Sequence, residues 1–277
     1  GWDDPRMPTV SGIRRRGYSP ESMKDFVSRV GVAKVEGMVD FSLMEFCVRE
    51  DLNKKAKRLM AVLDPIKVII DNYEEGKVEY FDMVDNPEDE KSGTHKVAFT
   101  RDLYIEKEDF MLNPVKGYHR LYLGNEVRLK GAYYIKANSV ETDKNGNVTV
   151  IHCTYDPLSR GGETPDGRKV KGTSHWVSAS INLKAEVRQY DKLFKTEIPG
   201  STTGNYLDDL NPDSLVVLNN AYIEKEGEKA KVGDYLQFIR NGYYCVDCKD
   251  SKSDHMVFNR TVTLKDSWSK MKAKMGL

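Results

Sequence analysis

The sequence predicts an α+β protein, with a small helical part followed by a long β part. Before Pro65, apolar residues recur at helical spacing, as at Met23, Phe26 and Val30. After Pro65 the apolar residues alternate with polar ones, and short runs are separated by turn-forming residues. Short strands at this spacing are typical of a barrel or sandwich, and the β part is long enough for two barrels in series.

The N-terminal part should contain amphipathic helices. We expect residues 1–17 to be an irregular loop, because they are rich in proline and turn formers. Ser19-Pro20 provides an N-cap followed by proline at the first helical position, and Gly31 should end this helix. A second helix is expected over residues 41–53, and a short third helix over the basic residues 54–58.

The β part is divided by turn signals such as Asn145-Gly146. The predicted strands are residues 66–70, 78–81, 96–100, 118–123, 127–137, 148–155, 173–183, 185–194, 215–222, 235–240, 243–246 and 257–264. A glycine-rich loop and a polar connection should lie at residues 157–172 and 199–212, and a basic tail at residues 268–274.

One stretch of the β part concentrates positive charge. The whole chain of 277 residues is balanced, with 43 Lys and Arg against 43 Asp and Glu. Residues 114–140, however, contain five Lys or Arg and one Glu, whereas residues 74–113 contain five Lys or Arg and twelve Asp or Glu. An argument for nucleic acid therefore depends on the distribution of charge, not on its total.

Within this basic stretch, the cations share one predicted face. Val127 and Leu129 should enter the core, which leaves Arg120, Arg128 and Lys130 on the wet face of a strand pair. Guanidinium groups and nearby aromatic rings suit phosphates and unstacked bases, so the face favours a single-stranded nucleic acid. A solvated strand face is the structural alternative.

No arranged catalytic or metal site is predicted. Cys245 and Cys248 have a metal-ligand spacing, but no second pair follows and zinc requires four ligands. Ser174-His175 lacks a nucleophile elbow, and there is neither a P-loop nor a dinucleotide-binding motif. The four cysteines are too few for a secreted disulfide scaffold, so we expect a reducing, cytoplasmic compartment. No apolar run is long enough to predict a membrane span.

Motifs along the whole chain resemble the glutaminyl-tRNA synthetases, class I enzymes of the glutamate/glutamine branch. They are GWDDPRMPTVSGIRRRG at residues 1–17, REDLN at 49–53, MAVLDP at 60–65, LGNEVRLKGAYYIKA at 123–137, DGRKVKGTSHWVSA at 166–179 and VFNRTVTLKDSW at 257–268. The resemblance implies a C-terminal portion, because the HIGH and KMSKS motifs of the catalytic fold are not in the sequence. It also implies that ATP, with Mg, serves the full-length enzyme, and that this portion has no cofactor and no activity alone.

The resemblance implies an arrangement of three parts. Residues 1–64 would be a helical subdomain after the catalytic fold. Residues 65–185 would form a proximal antiparallel β-barrel, completed by residues 257–277, and residues 186–256 a distal one. Both would be anticodon-binding barrels of the ribosomal L25-like type. The implied partner is tRNA(Gln). The protein would be a monomer and would not associate with a membrane.

The resemblance also implies residues that contact the anticodon. Arg120 would hold the third base, Arg128 would face the first base, and Lys130, where relatives commonly have arginine, would contact a phosphate. The remaining implied contacts are Arg58, Gln237 and Arg240. Alternatives are the same module of a glutamyl-tRNA synthetase, a β-barrel that binds a ligand or protein without nucleic acid, and a free-standing hydrolase.

Overall fold

The computed structural model describes residues 1–32 and 37–264. Its helices are α1 (Val10–Arg16), α2 (Pro20–Val30) and α3 (Phe41–Lys55). The two longer helices confirm the sequence prediction. In α2, the Ser19 hydroxyl accepts a hydrogen bond from the amide of Ser22, as an N-cap should.

Two predictions for the N-terminal part are wrong. Residues 1–17 include helix α1, which begins after the N-cap Thr9 and ends at Gly17, whose φ of 98° allows the left-handed C-cap. Lys57–Leu59 is a strand rather than a third helix. This strand pairs with residues about 180 positions further along the chain, which local periodicity cannot reveal.

The β part contains two seven-stranded sheets and a hairpin within the described ranges. Sheet A has the order β1-β14-β15-β16-β12-β13-β2, and its strands are β1 (Lys57–Leu59), β2 (Ala61–Val62), β12 (Asn182–Tyr190), β13 (Leu215–Glu224), β14 (Tyr235–Phe238), β15 (Gly242–Val246) and β16 (Val257–Val262). Sheet B has the order β10-β7-β8-β9-β3-β6-β11, and its strands are β3 (Pro65–Ile70), β6 (Asp102–Glu106), β7 (Glu126–Leu129), β8 (Tyr134–Thr142), β9 (Val148–Asp156), β10 (Thr173–Ser174) and β11 (Val177–Ser178). The hairpin consists of β4 (Glu79–Val84) and β5 (Thr94–Phe99).

The α+β prediction is confirmed: helices precede two barrel-like sheets. Most strand pairs are antiparallel, but four pairs are parallel: β1 with β14, β10 with β7, β12 with β16, and β3 with β9. Sheet B is built from one continuous segment. Sheet A takes strands from before and after that segment, so sheet B is an insertion between β2 and β12.

Strand β16, within the expected return of residues 257–264, belongs to sheet A, which also contains the earlier strands β1 and β2. Strand β16 pairs with β15 and β12, both in sheet A, and not with strands of sheet B. Its Phe258 packs in the core of sheet A, 5.4 Å from the ring of Phe238. Alternating apolar residues mark a strand but do not select its partner, and here burial against Phe238 does so. Residues 265–277 of that prediction lie outside the described residues.

Sheet B and the β4–β5 hairpin enclose an aromatic core. Trp176, fully buried, meets Phe99 edge-on at 5.1 Å between ring centroids, and Phe81 contacts Tyr133 at 5.4 Å. Edge-to-face pairs add to the stabilisation from burial, so the hairpin is fixed over the sheet.

The basic stretch is less regular than predicted. Residues 118–123 form no strand, and residues 127–137 are the hairpin of β7 and β8, with a turn at Gly131 where φ is 67°. Strand β6, at Asp102–Glu106, was not predicted. The expectation that Val127 and Leu129 enter the core is confirmed, since both are fully buried.

Helices and sheet A share a third cluster of apolar side chains. It consists of Tyr18, Met44, Val48, Leu52, Ala56, Tyr243 and Val262. Because Tyr243 and Val262 belong to β15 and β16, the helical part packs directly on sheet A. The end of α3 therefore lies beside the strands that carry Arg58 and Gln237.

Candidate nucleic-acid interface

Arg58 and Gln237 lie opposite each other on the parallel strands β1 and β14. Nε of Arg58 and Oε1 of Gln237 are both buried, and neither has a hydrogen-bond partner in the described protein. An unpaired buried donor or acceptor costs about 1–3 kcal/mol, so such a pair marks a position where a ligand could be bound. This pairing brings together two residues predicted from distant parts of the sequence.

The neighbours of this pair orient its side chains. Asn53, at the end of α3, accepts hydrogen bonds through Oδ1 from Nη2 of Arg58 at 3.1 Å and from the hydroxyl of Tyr243 at 3.2 Å. Tyr243 stands opposite Gln237 on β15. Asn53 and Tyr243 therefore form a polar cluster with the two predicted residues. Sequence analysis missed both.

The acidic turn after β4 positions the backbone of Arg58. The amide of Arg58 donates to the carbonyl of Asp85 at 2.7 Å. The side-chain amide of Asn86 donates to the carbonyls of Asn53 and Ala56, at 3.0 and 3.2 Å. Residues from the hairpin thus fix the junction of α3 and β1, next to Arg58.

Asp109 joins two other predicted residues. This fully buried carboxylate lies in the 3₁₀ turn Lys107–Asp109 after β6. It accepts hydrogen bonds from Nη1 and Nη2 of Arg240 at 2.5 and 2.7 Å, and Nη1 of Arg120 is 2.8 Å away. Burial opposes ionisation of Asp109, but the bonds from Arg240 and the charge of Arg120 outweigh it and hold the pKa below its ordinary value.

The turn that carries Arg240 is also held by a buried imidazole. Nδ1 of His175 accepts from Nη1 of Arg240 at 3.3 Å, while Nε2 lies 3.2 Å from Oε1 of Glu106. These contacts assign the Nε2–H tautomer to His175. Arg240 has a φ of 69°, uncommon for a residue with a side chain. His175 therefore helps to hold the turn that carries Arg240.

Arg128 and Lys130 lie at the end of β7 in sheet B. Nη2 of Arg128 donates to the hydroxyl of Tyr134 at 3.1 Å, and its guanidinium lies over the Tyr134 ring, 5.4 Å from the centroid. Nε of Arg128 is buried and without a partner. Lys130 is exposed, and no carboxylate in the described ranges forms an ion pair with it. Both cations therefore retain hydrogen-bonding capacity for an anion.

The six predicted residues thus fall into three groups. Arg58 and Gln237 are opposite each other, Arg120 and Arg240 share Asp109, and Arg128 lies on β7 with Lys130 just after this strand. The segment Ser174-His175 joins the third group to the second, because the amide of Lys130 donates to the carbonyl of Ser174 at 2.9 Å and His175 contacts Arg240 at 3.3 Å. Asp109 could not be found from the sequence, because its partner Arg240 is 131 positions away and acidic residues surround it in the chain.

Other chemistries have little support in the part of the chain that the structure describes. No group of three or more His, Cys, Asp or Glu side chains is arranged to hold a metal ion there. Cys245 is buried while Cys248 is exposed, and His255 instead contacts Glu186 at 3.1 Å. Among residues 1–32 and 37–264, no helix combines the length and apolar character needed to cross a membrane.

Three family models together match most of the chain. Two models of the anticodon-binding domain of class I tRNA synthetases (E and Q) match residues 56–156 and 173–247. A model of the catalytic domain of the same enzymes matches residues 1–54. The chain therefore belongs to the class I tRNA synthetases of the E and Q type, and it contains their anticodon-binding domains.

Within that class the chain is similar to glutamine–tRNA ligases, as its motifs predicted. It is 52% identical to the enzyme of Vibrio parahaemolyticus over 98% of this chain and 48% of the relative. It is 51% identical to that of Aliivibrio fischeri over 97% of this chain, and 48% identical to that of Clostridium kluyveri over 97%, again covering 48% of each relative. The chain thus spans about half the length of the curated relatives that it matches.

Proposed function

We propose that the chain recognises the anticodon of tRNA(Gln), as part of an enzyme that attaches glutamine to this tRNA with ATP. The observation that carries this proposal is the pair Arg58 and Gln237. A buried guanidinium donor and a buried amide acceptor lie side by side without partners. One edge of an unstacked base can satisfy both, whereas a phosphate would satisfy only the donor.

Arg120 is proposed to distinguish glutamine tRNA from glutamate tRNA. The two anticodons differ in the third base, which is guanine for glutamine and cytosine for glutamate. Arginine binds O6 and N7 of guanine with two hydrogen bonds, and the corresponding cytosine edge presents a donor instead. Asp109 orients Arg120 at 2.8 Å and leaves other guanidinium donors for a base.

The remaining predicted contacts would complete the site. Arg240 would approach the middle base with Gln237, since it follows the same strand, β14. Arg128 would face the first base, and Lys130 would contact a phosphate, because it is exposed and unpaired among the described residues. Binding at these positions would help to align the acceptor end of the tRNA with the distant active site, by induced fit.

The chemistry of aminoacylation is assigned to the catalytic domain. Only residues 1–54 match the model of that domain. We propose that ATP and Mg bind in the full-length enzyme and that this chain alone has no activity. We also propose that the protein is a monomer in the cytoplasm, and that its β part forms separate proximal and distal domains.

Binding to anticodon stem-loop hairpins tests the function. The hairpins carry a glutamine anticodon, a glutamate anticodon, or a glutamine anticodon with the middle base changed. We expect the first to bind more tightly, by about 1–3 kcal/mol for each changed base. Equal dissociation constants at one salt concentration would refute anticodon recognition. Failure of every hairpin to bind at low salt would support a module without nucleic acid.

A further inference from the structure

An open cleft of about 620 Å³ on sheet B has no assigned role. Its floor is the β7–β8 pair, where Glu126 stands opposite Lys136. Its walls are residues 118–125 on one side and residues 169–172 on the other. The lining is basic and aromatic, and its polar side chains include Tyr118, His119, Tyr122, Lys136, Lys169 and Lys171.

The positive charge of this cleft is not neutralised by the protein. Lys136, Lys169 and Lys171 are exposed, and none forms an ion pair with a carboxylate within the described ranges. Glu126 is the one acidic residue among the described lining residues, but Arg168 binds it through Nε and Nη2, each at 3.1 Å. The three lysines therefore create a local positive potential that attracts an anion.

Other basic residues of the chain show that such pairing is available. Lys55 contacts Glu21 and Asp51, at 3.0 and 2.7 Å, and Lys57 contacts two further carboxylates. Even Arg168, beside the cleft, contacts three. Lys136, Lys169 and Lys171 have no such partner among the described residues, and all three line one cleft.

The walls of the cleft are fixed to the segments that carry Arg120 and Arg128. The side-chain amide of Asn125 donates to the carbonyl of Arg120 at 2.9 Å. The carbonyl of Gly172 accepts from the amide of Arg128 at 2.8 Å. A Cβ at Gly172 would lie 2.2 Å from the carbonyl oxygen of His119, so the two walls touch there. A strand bound at Arg120 and Arg128 therefore has this cleft beside it.

We propose that this cleft binds backbone phosphates of the unpaired RNA strand that flanks the anticodon triplet, through Lys136, Lys169 and Lys171. The inference rests on the proposed function, because it extends the same bound strand beyond its three bases. The contacts are to phosphates, so they add affinity and position the strand without reading its sequence. The ligand is thus a phosphodiester backbone rather than a particular base.

A charge-matched pair of variants tests the cleft. One variant is Lys136→Ala/Lys169→Ala/Lys171→Ala, and the control is Lys144→Ala/Lys184→Ala/Lys231→Ala, which removes three exposed lysines that form no ion pair in the described structure. With the glutamine hairpin, we expect the cleft variant to reduce the slope of log K against log salt by about two units, because each single-strand phosphate contact contributes about 0.7. Between about 50 and 200 mM salt this is a change of about twentyfold in relative affinity. The control should keep the wild-type slope, and equal slopes for both variants would overturn the proposal.

The phosphates are located by methylphosphonate substitution, one position at a time, in the same hairpin. Neutralising a phosphate held in the cleft should weaken binding of the hairpin to the wild-type protein but not to the cleft variant. This phosphate should lie next to the anticodon triplet. Additive losses at every position would overturn the cleft assignment. The cleft variant should also keep the wild-type preference for the glutamine anticodon. If the wild-type protein shows no preference for the glutamine anticodon, the proposed function fails. If the preference is present but the cleft variant has the same salt slope as the control variant, the cleft proposal alone fails.

Discussion

Asp109 and Arg240 form a bidentate ion pair between the two sheets, at 2.5 and 2.7 Å. Asp109 follows β6 of sheet B, and Arg240 follows β14 of sheet A. Since the same carboxylate contacts Arg120, the positions of two proposed base contacts depend on one buried group. Asp109 is therefore a positioning residue rather than a contact residue.

The substitution Asp109→Asn should affect stability and binding together. It removes the buried carboxylate that Arg240 and Arg120 share and leaves them only the exposed Glu108 as a common anionic neighbour. We therefore expect the free energy of unfolding to fall by about 1–3 kcal/mol. The preference for the glutamine anticodon should weaken as well. Denaturant unfolding and hairpin titration measure the two effects. In the control Asp82→Asn, an exposed carboxylate loses its contact with Lys96, and the change should be below about 1 kcal/mol. Equal effects of both substitutions would contradict the positioning role.

Arg120→Ala should weaken discrimination at one base. We expect a loss of about 1–3 kcal/mol for the glutamine hairpin and a smaller loss for the glutamate hairpin, because only guanine offers two acceptors to the guanidinium. Dissociation constants for the two hairpins measure this difference. The same loss for both would reject the role of Arg120 in base recognition.

Arg58→Lys separates charge from geometry. The lysine keeps the positive charge but lacks Nε and the planar fork. We therefore expect weaker binding of the glutamine hairpin, by about 1–3 kcal/mol, with an unchanged salt slope. Arg29→Lys, on the exposed surface of α2, is the matched control and should bind as wild type does. Wild-type affinity and anticodon preference in Arg58→Lys would show that charge alone is sufficient, as for a contact to a phosphate.

The contacts of His95 with two carboxylates predict that the stability of the fold depends on pH. Its Nδ1 lies 2.6 Å from Asp85 and its Nε2 2.6 Å from Glu224. Burial and nearby Lys57 oppose protonation, but the two carboxylates outweigh them and raise the pKa above its ordinary value of 6.5. Burial also raises the pKa of Glu224. His95 holds its proton more tightly in the folded state, so the stabilisation from its charged contacts is complete below pH 6.5 and is lost as the pH rises through the folded pKa of His95.

The variant His95→Gln tests this dependence. The difference in unfolding free energy between wild type and variant should be largest below pH 6.5 and should shrink at higher pH. Unfolding in urea at a series of pH values measures it. A difference that grows with pH would mean that the neutral imidazole is the stabilising form.

Local signals predicted the elements whose causes are local. Helix α2 begins after Ser19 and ends at Gly31 as expected, because capping residues act on neighbouring backbone groups. Strand β1 was mistaken for a helix, since its basic sequence gains a strand conformation only by pairing with β14. The partners of β16, which are β12 and β15, were not predictable for a similar reason. Pairing depends on distant side chains, such as Phe238 against Phe258, that no window of sequence contains.

The family resemblance supplied candidate residues for the site, but not their geometry. Family motifs supplied Arg58, Arg120 and Gln237, while the structure showed that Arg58 faces Gln237. Asp109 and Asn53 were missed, because a carboxylate in an acidic segment and an amide at a helix end have many ordinary roles. Their function is visible only in the contacts that they make.

The most direct test of anticodon recognition is a double-mutant cycle between Gln237 and the middle anticodon base. Dissociation constants are measured for wild type and Gln237→Met with glutamine hairpins carrying the original and a changed middle base. Gln189→Met, on β12 of the same sheet, is the control. We predict a coupling energy of about 1–3 kcal/mol for Gln237 and none for Gln189. Additive effects at Gln237, with no coupling to any anticodon base, would contradict the account.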